Sequence, residues 1–98
     1  MGRHLIWDEA KREANLAKHG LDFADATLVL KSAYRLDVRV VRANEARIQS
    51  FAYVFDVLAV LSLAHTARDG ETRIISFRRA SADEREAYHD WLKNDFAD

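Results

Sequence analysis

A chain of 98 residues with 15 Lys/Arg against 16 Asp/Glu and 49% hydrophobic residues has the make-up of one globular domain over residues 1–98, with room for a modest core. Having no cysteine, it has neither a disulfide framework nor thiolate metal ligands, and a net charge of −1 argues against a generic nucleic-acid coat. No stretch reaches the ~20 apolar residues of a membrane span and residues 1–20 lack an apolar signal core, so a soluble, cytoplasmic protein without membrane contact is expected.

In chain order, residues 4–7 predict a short strand. Asp8 is placed to cap a helix in which Trp7, Ala10, Ala14 and Ala17 recur at helical spacing. Gly20 closes that helix, with Lys18 and His19 in its last turn where cations suit the helix dipole. Asp22 caps a second, shorter helix with the stripe Phe23, Ala26, Thr27 and Leu30. From Tyr34 the period becomes two: Tyr34, Leu36, Val38 and Val40 alternate with Arg35, Asp37, Arg39 and Val41, a half-buried strand.

Residues 46–55 predict a further strand with Arg47, Gln49, Phe51 and Tyr53 on one side. The nearly continuous apolar run Val57 to Thr66 suits a central strand, although the turn at Phe55-Asp56-Val57 lacks glycine and proline. Asp69-Gly70 is a hairpin turn, after which Thr72 to Arg78 returns antiparallel. Ser81-Ala82-Asp83-Glu84 is a capping box that opens a last helix with Glu84, Ala87, Tyr88, Trp91 and Leu92 on neighbouring turns. The whole reads as an α+β fold: a short N-terminal strand, two helices, an antiparallel sheet of three to four strands and a C-terminal helix.

Charge is unevenly spread. Residues 1–30 balance to −1, residues 31–79 to +4 and residues 80–98 to −4, a bipolar arrangement that suits one partner on the basic middle and another on the acidic tail. Four arginines, Arg68, Arg73, Arg78 and Arg79, cluster around one hairpin. On a regular strand Arg73 and Arg79 share a face and Arg78 takes the other. No HxH or HxxxH spacing, G-x-S-x-G elbow or phosphate-cradling glycine loop occurs, so no metal, cofactor, serine-hydrolase or nucleotide-driven chemistry is expected.

Two segments resemble the BrnT family of bacterial toxins. The first is Trp7, Asp8, Lys11, Asn15, Lys18, His19 and Gly20, with Phe23 and Ala26 following; the last is Arg73, Ile74, Ile75, Ser76, Arg78 and Ala80, then Glu84 and Tyr88. Between them stand Glu45 with Arg47, and His65 and Thr66 with Arg68. The resemblance covers about residues 5–88. It implies a RelE-like fold, ribonuclease activity and a cognate antitoxin, usually a ribbon-helix-helix (BrnA-like) protein through which operator DNA is reached indirectly. Phe77 stands where the family usually has alanine, which suggests either a stacking surface beside Arg78 or a crowded site.

For such an enzyme, RNA is cut without metal when the 2′-OH attacks phosphorus, which calls for a base, cations and an acid. Arginine holds phosphate through a planar fork that keeps its charge, and histidine titrates near neutrality. The candidate residues are therefore Arg78 and Arg73 on the phosphate, His65 or His19 as acid/base, and Glu45 with Arg47 as a second base-and-cation pair. Lys18, Arg68, Arg79 and Phe77 are candidate RNA contacts. Two other readings are a catalytically silent module that acts with the antitoxin as a co-repressor, and a DNA-binding sheet, which the near-neutral charge disfavours.

Overall fold

The computed structural model describes residues 4–96. Five strands run in the order β1 (Leu5–Ile6), β5 (Glu71–Arg79), β4 (Ala59–Arg68), β3 (Glu45–Val54), β2 (Leu36–Arg42). The last four pair antiparallel. The short strand β1 joins the edge in parallel, Leu5 opposite Thr72 and Ile6 opposite Arg73, making the sheet mixed and one strand wider than expected.

Helix α1 (Glu9–His19) begins where Asp8 accepts from the Lys11 N–H and ends at Gly20, whose left-handed backbone (φ 70°) closes the last turn onto the Leu16 carbonyl. It buries no residue. Its attachment is polar: the Asn15 amide donates to the carbonyls of Phe77 (2.7 Å) and Leu21 (3.1 Å) and accepts from the Phe77 N–H (3.1 Å). Asp22 caps a 3₁₀ turn (Phe23–Ala26) that runs directly into α2 (Thr27–Leu30). There Val29, and not Leu30, is the buried member of the stripe, because the tighter first turn rotates the positions that follow.

The segment from Leu21 through α2 covers one face of the sheet. Leu21, Phe23, Ala26 and Val29 meet Ala52, Leu61, Leu63, Ile74 and Phe77 in the main core. Helix α3 (Ala82–Phe96) lies across one end of the other face, where Tyr88, Ala80, Phe51 and Val60 form a second core edged by Trp91 and Leu92. The Tyr88 hydroxyl donates to the Tyr34 carbonyl (2.6 Å) and accepts from the Tyr53 N–H (3.2 Å), so one side chain ties α3 to the start of β2 and the end of β3. The remainder of that second face is open. Among the described residues no helix is long and apolar enough to cross a membrane.

Turns complete the frame. Ala43 and Asn44 (φ 51° and 63°) and Asp69 and Gly70 (φ 52° and 79°) form two-residue hairpin turns with both central residues left-handed. Between β3 and β4 the chain uses Leu58 at φ 52° where a glycine would be easier, which solves the turn that the sequence left without a breaker. Strand β2 is less buried than its alternation suggests, Val38 in the apolar row being 41% exposed, because it is the outer edge strand and Leu36 is its residue that packs on the second core.

Candidate ribonuclease site

Strand β5 does not stay regular. Ala64 pairs with Ser76 while its neighbour His65 pairs with Ile74, so Ile75 is an extra residue, a β-bulge. The bulge resets the alternation. Thr72, Ile74 and Phe77 all point to the helix-covered side, and Arg73, Ser76 and Arg78 all point to the open one. The prediction that Arg73 and Arg78 lie on opposite faces is thereby corrected: they share a face, and Arg79 is the arginine on the other, exposed at the strand end.

Side chains of β2 and β3 join them. Arg42, Glu45, Arg47 and Gln49 have the parity of Ala64 and Thr66 across the ladder, and a groove of about 230 Å³ lies over Ala64 and Ser76 between Arg42, Arg47 and Arg78. Its floor is small side chains and its walls are cations. Glu45 accepts from Arg47 Nε (2.9 Å) and lies 3.9 Å from Arg68. The Arg47 hydrogen bond, with the charges of Arg47, Arg73 and Arg68, holds the Glu45 carboxyl below its ordinary range. Arg73 and Arg78 stand opposite Thr66 and Ser62, four positions apart on β4, on the order of 13 Å along a strand. Of the two, Arg78 borders the groove and Arg73 does not.

Arg78 is held firmly. Its Nη1 and Nη2 donate to the two carboxylate oxygens of Glu84 (2.7 and 3.0 Å), and Nη1 also reaches the Arg79 carbonyl. The pairing with Arg78 first, and the capping N–H of Ser81 after it, bring Glu84 down to about 2, while Arg78 is raised. The sequence alone offers Glu84 as a capping residue and as part of the closing family motif, and gives Arg42 no role. The parity of Arg42 with Arg47 across a two-residue turn would have located Arg42, whereas nothing local announces the Arg78–Glu84 pair.

The other candidates fall elsewhere. His65 is buried on the helix-covered face beside a cavity of about 340 Å³ bordered by Leu5, Leu30 and Thr72. Its Nε2 is 2.8 Å from the Ser50 hydroxyl, which donates to Asp37 (2.6 Å); Ser50 therefore accepts from Nε2–H. Burial lowers the His65 pKa, with Asp37 opposing and Arg35 reinforcing the shift. Lys18 and His19 are at the end of α1 and make no hydrogen bond or ion pair with the arginines of the groove among the described residues. Phe77 is fully buried in the main core and offers no stacking surface. Trp7 packs edge-on against Phe23, and Trp91 lies tilted against Tyr88. A larger groove of about 680 Å³ between α2 and α3 is bordered by Leu28, Tyr34, Phe55 and Leu92 and contains none of the arginines.

Because His65 takes up its proton less readily when folded than unfolded, the sign of its linkage is fixed. Stability is full above the ordinary histidine value of about 6.5 and declines as the pH falls below it, since the unfolded chain then binds the extra proton. Urea midpoints at pH 8, 6 and 5 should fall in the parent and stay flatter in His65→Gln. An equal slope in both would place the effect on another group. A separate decline belongs to Glu84, whose contribution is lost as the pH drops from about 4.5 toward about 2.

The match to known families agrees with this geometry. The family model described as the ribonuclease toxin BrnT of type II toxin–antitoxin systems matches residues 7–84. The chain belongs to the BrnT toxin family. That match spans α1, the whole antiparallel sheet and the Ser81–Glu84 cap, so every residue of the groove lies inside it. Membership makes the protein a ribonuclease toxin of a type II pair, with RNA as its target and an antitoxin as its partner. Comparison with curated proteins finds no match.

Proposed function

We propose that this BrnT toxin is a metal-independent endoribonuclease whose active surface is the open, arginine-lined face of the sheet. The observation that carries this is the bulge at Ile75, which brings Arg73, Ser76 and Arg78 to the face already holding Arg42, Glu45 and Arg47. The scissile phosphate sits over Ala64 and Ser76, gripped by Arg78 from one side and Arg47 from the other. Arg73 and Arg68 hold the neighbouring phosphate. Arginine forks suit this work because they give paired hydrogen bonds and a permanent charge.

In the reaction, the 2′-oxygen attacks phosphorus and its proton passes to Glu45, which is ionised at neutral pH and lies beside Arg47. The bond from phosphorus to the 5′-oxygen breaks, that oxygen is protonated by solvent, and the product keeps a 2′,3′-cyclic phosphate. The arginines stabilise the charge that builds on the phosphoryl oxygens. Glu45 takes the base role in preference to His65, which faces the helices, and to His19, which makes no contact with the arginines, because it is hydrogen-bonded to Arg47 on the arginine face. The antitoxin is of the ribbon-helix-helix class and carries the contact to operator DNA, in the cytoplasm. Phe77, buried in the main core, does not crowd the groove, which favours the enzyme over the silent co-repressor reading.

Incubating the purified chain with RNA in EDTA tests this. Fragments ending in 2′,3′-cyclic phosphate are expected. Cleavage that requires added divalent metal, or ends in a 3′-hydroxyl, would remove the mechanism.

A further inference from the structure

We infer that Glu84 is a positioning residue for RNA cleavage, one that holds Arg78 by its Nη1–Nη2 edge and leaves the Nε–Nη2 edge free for phosphate. The inference rests on the reading of the open face as the active surface, and it adds a residue that touches no RNA.

The argument is a count of donors. A guanidinium has five N–H bonds. In Arg78, Nη1 spends its two on Glu84 Oε1 (2.7 Å) and the Arg79 carbonyl (3.2 Å), and Nη2 spends one on Glu84 Oε2 (3.0 Å). Left over are Nε–H and the second Nη2–H. These two point the same way, along the side of the fork, at the spacing that matches two oxygens of one phosphate. Phosphate and Glu84 therefore use different edges, and RNA need not displace the carboxylate to be held.

Glu84 is itself anchored from three elements. Oε1 accepts from the Ser81 N–H (2.8 Å) at the start of α3, and Oε2 accepts from Gln49 Nε2 (3.3 Å) on β3. Gln49 is braced in turn by the Ser62 hydroxyl (3.1 Å) on β4, a buried group. The carboxylate is thus in place before Arg78 meets it, so the arginine gives up its rotamer freedom on folding and not on binding RNA. A competing effect is that Glu84 offsets part of the Arg78 charge. Positioning prevails because the free Nε–Nη2 edge is a complete two-donor fork that the carboxylate does not occupy. The acidic character of the last helix, which sequence alone assigns to a different partner, reaches the active surface at this one point.

Glu84→Gln is the test, since glutamine still serves the capping box but cannot accept from both Nη atoms. With a short RNA oligonucleotide as substrate, kcat should fall about tenfold with KM within about twofold, and the melting temperature should stay near the parent's. In an Arg78→Ala background the same change should have no further effect on cleavage. Unchanged kcat in Glu84→Gln overturns the inference, and so does a tenfold loss that persists without Arg78, because Glu84 would then act through the fold. If Glu84→Gln folds poorly, Gln49→Met removes the brace without touching the cap. It should lower kcat only when Arg78 is present, and no loss would overturn the inference. Full cleavage by Arg78→Ala alone is a different outcome, which strikes the proposed function itself.

Discussion

Arg78→Ala should lower RNA cleavage by roughly ten- to a hundredfold, the loss of about 1.5–3 kcal/mol for a hydrogen-bonded contact to a charged phosphate. The fold should survive. Arg78 and Glu84 are 32% and 23% exposed, so the carboxylate left behind remains reachable by water, and breaking such a partly solvated pair costs about 1 kcal/mol or less. The Ser81–Glu84 cap also stays in place. Growth arrest on induction should therefore disappear while the melting temperature moves by only a few degrees. Arg78→Lys should recover part of the activity at most, because an ammonium keeps the charge but loses the fork. A toxic, fully active Arg78→Ala protein would remove this residue from the site.

Phe77→Ala should act in the opposite way, on stability first. Phe77 is completely buried, packed with Phe23, Leu63 and Ile74 under the helices, and truncating such a residue costs about 3–5 kcal/mol. Set against a total stability of about 5–15 kcal/mol for a domain, that is between about a fifth and all of what holds the chain folded. The damage is compounded at the backbone, where both the N–H and the C=O of Phe77 are held by Asn15; a local collapse would loosen α1, which has no buried side chain of its own. Urea titration reads the loss directly. Phe77→Leu, which keeps most of the volume, should recover the greater part of it. A loss under about 1 kcal/mol in Phe77→Ala would contradict the core assignment.

Both predictions turn on which face of one strand a residue occupies, and there the sequence was only partly legible. Helix ends could be read because their signals are local: Asp8 and Gly20 around α1, Asp22 before the 3₁₀ turn, and the Ser81–Glu84 box at α3 all bond within a few residues of themselves. The Asp69-Gly70 turn and the buried run of β4 were legible for the same reason. Phe77 was misjudged because alternation counted from Arg78 says only that the two point opposite ways; it does not say which side the helices cover. Arg73 was misjudged because a bulge at Ile75 has no compositional mark.

By itself, then, the sequence determined the elements, their order and their caps, and its motifs placed the chain among ribonuclease toxins. Only the tertiary structure decided which arginines act together, that His65 stands across the sheet from them, and that Glu84 reaches back to hold Arg78. The physical reason is one of range. Caps and turns are settled by bonds between residues near in sequence, whereas strand register, the bulge and an ion pair joining a strand to a helix are settled by packing among parts of the chain that meet only when it folds.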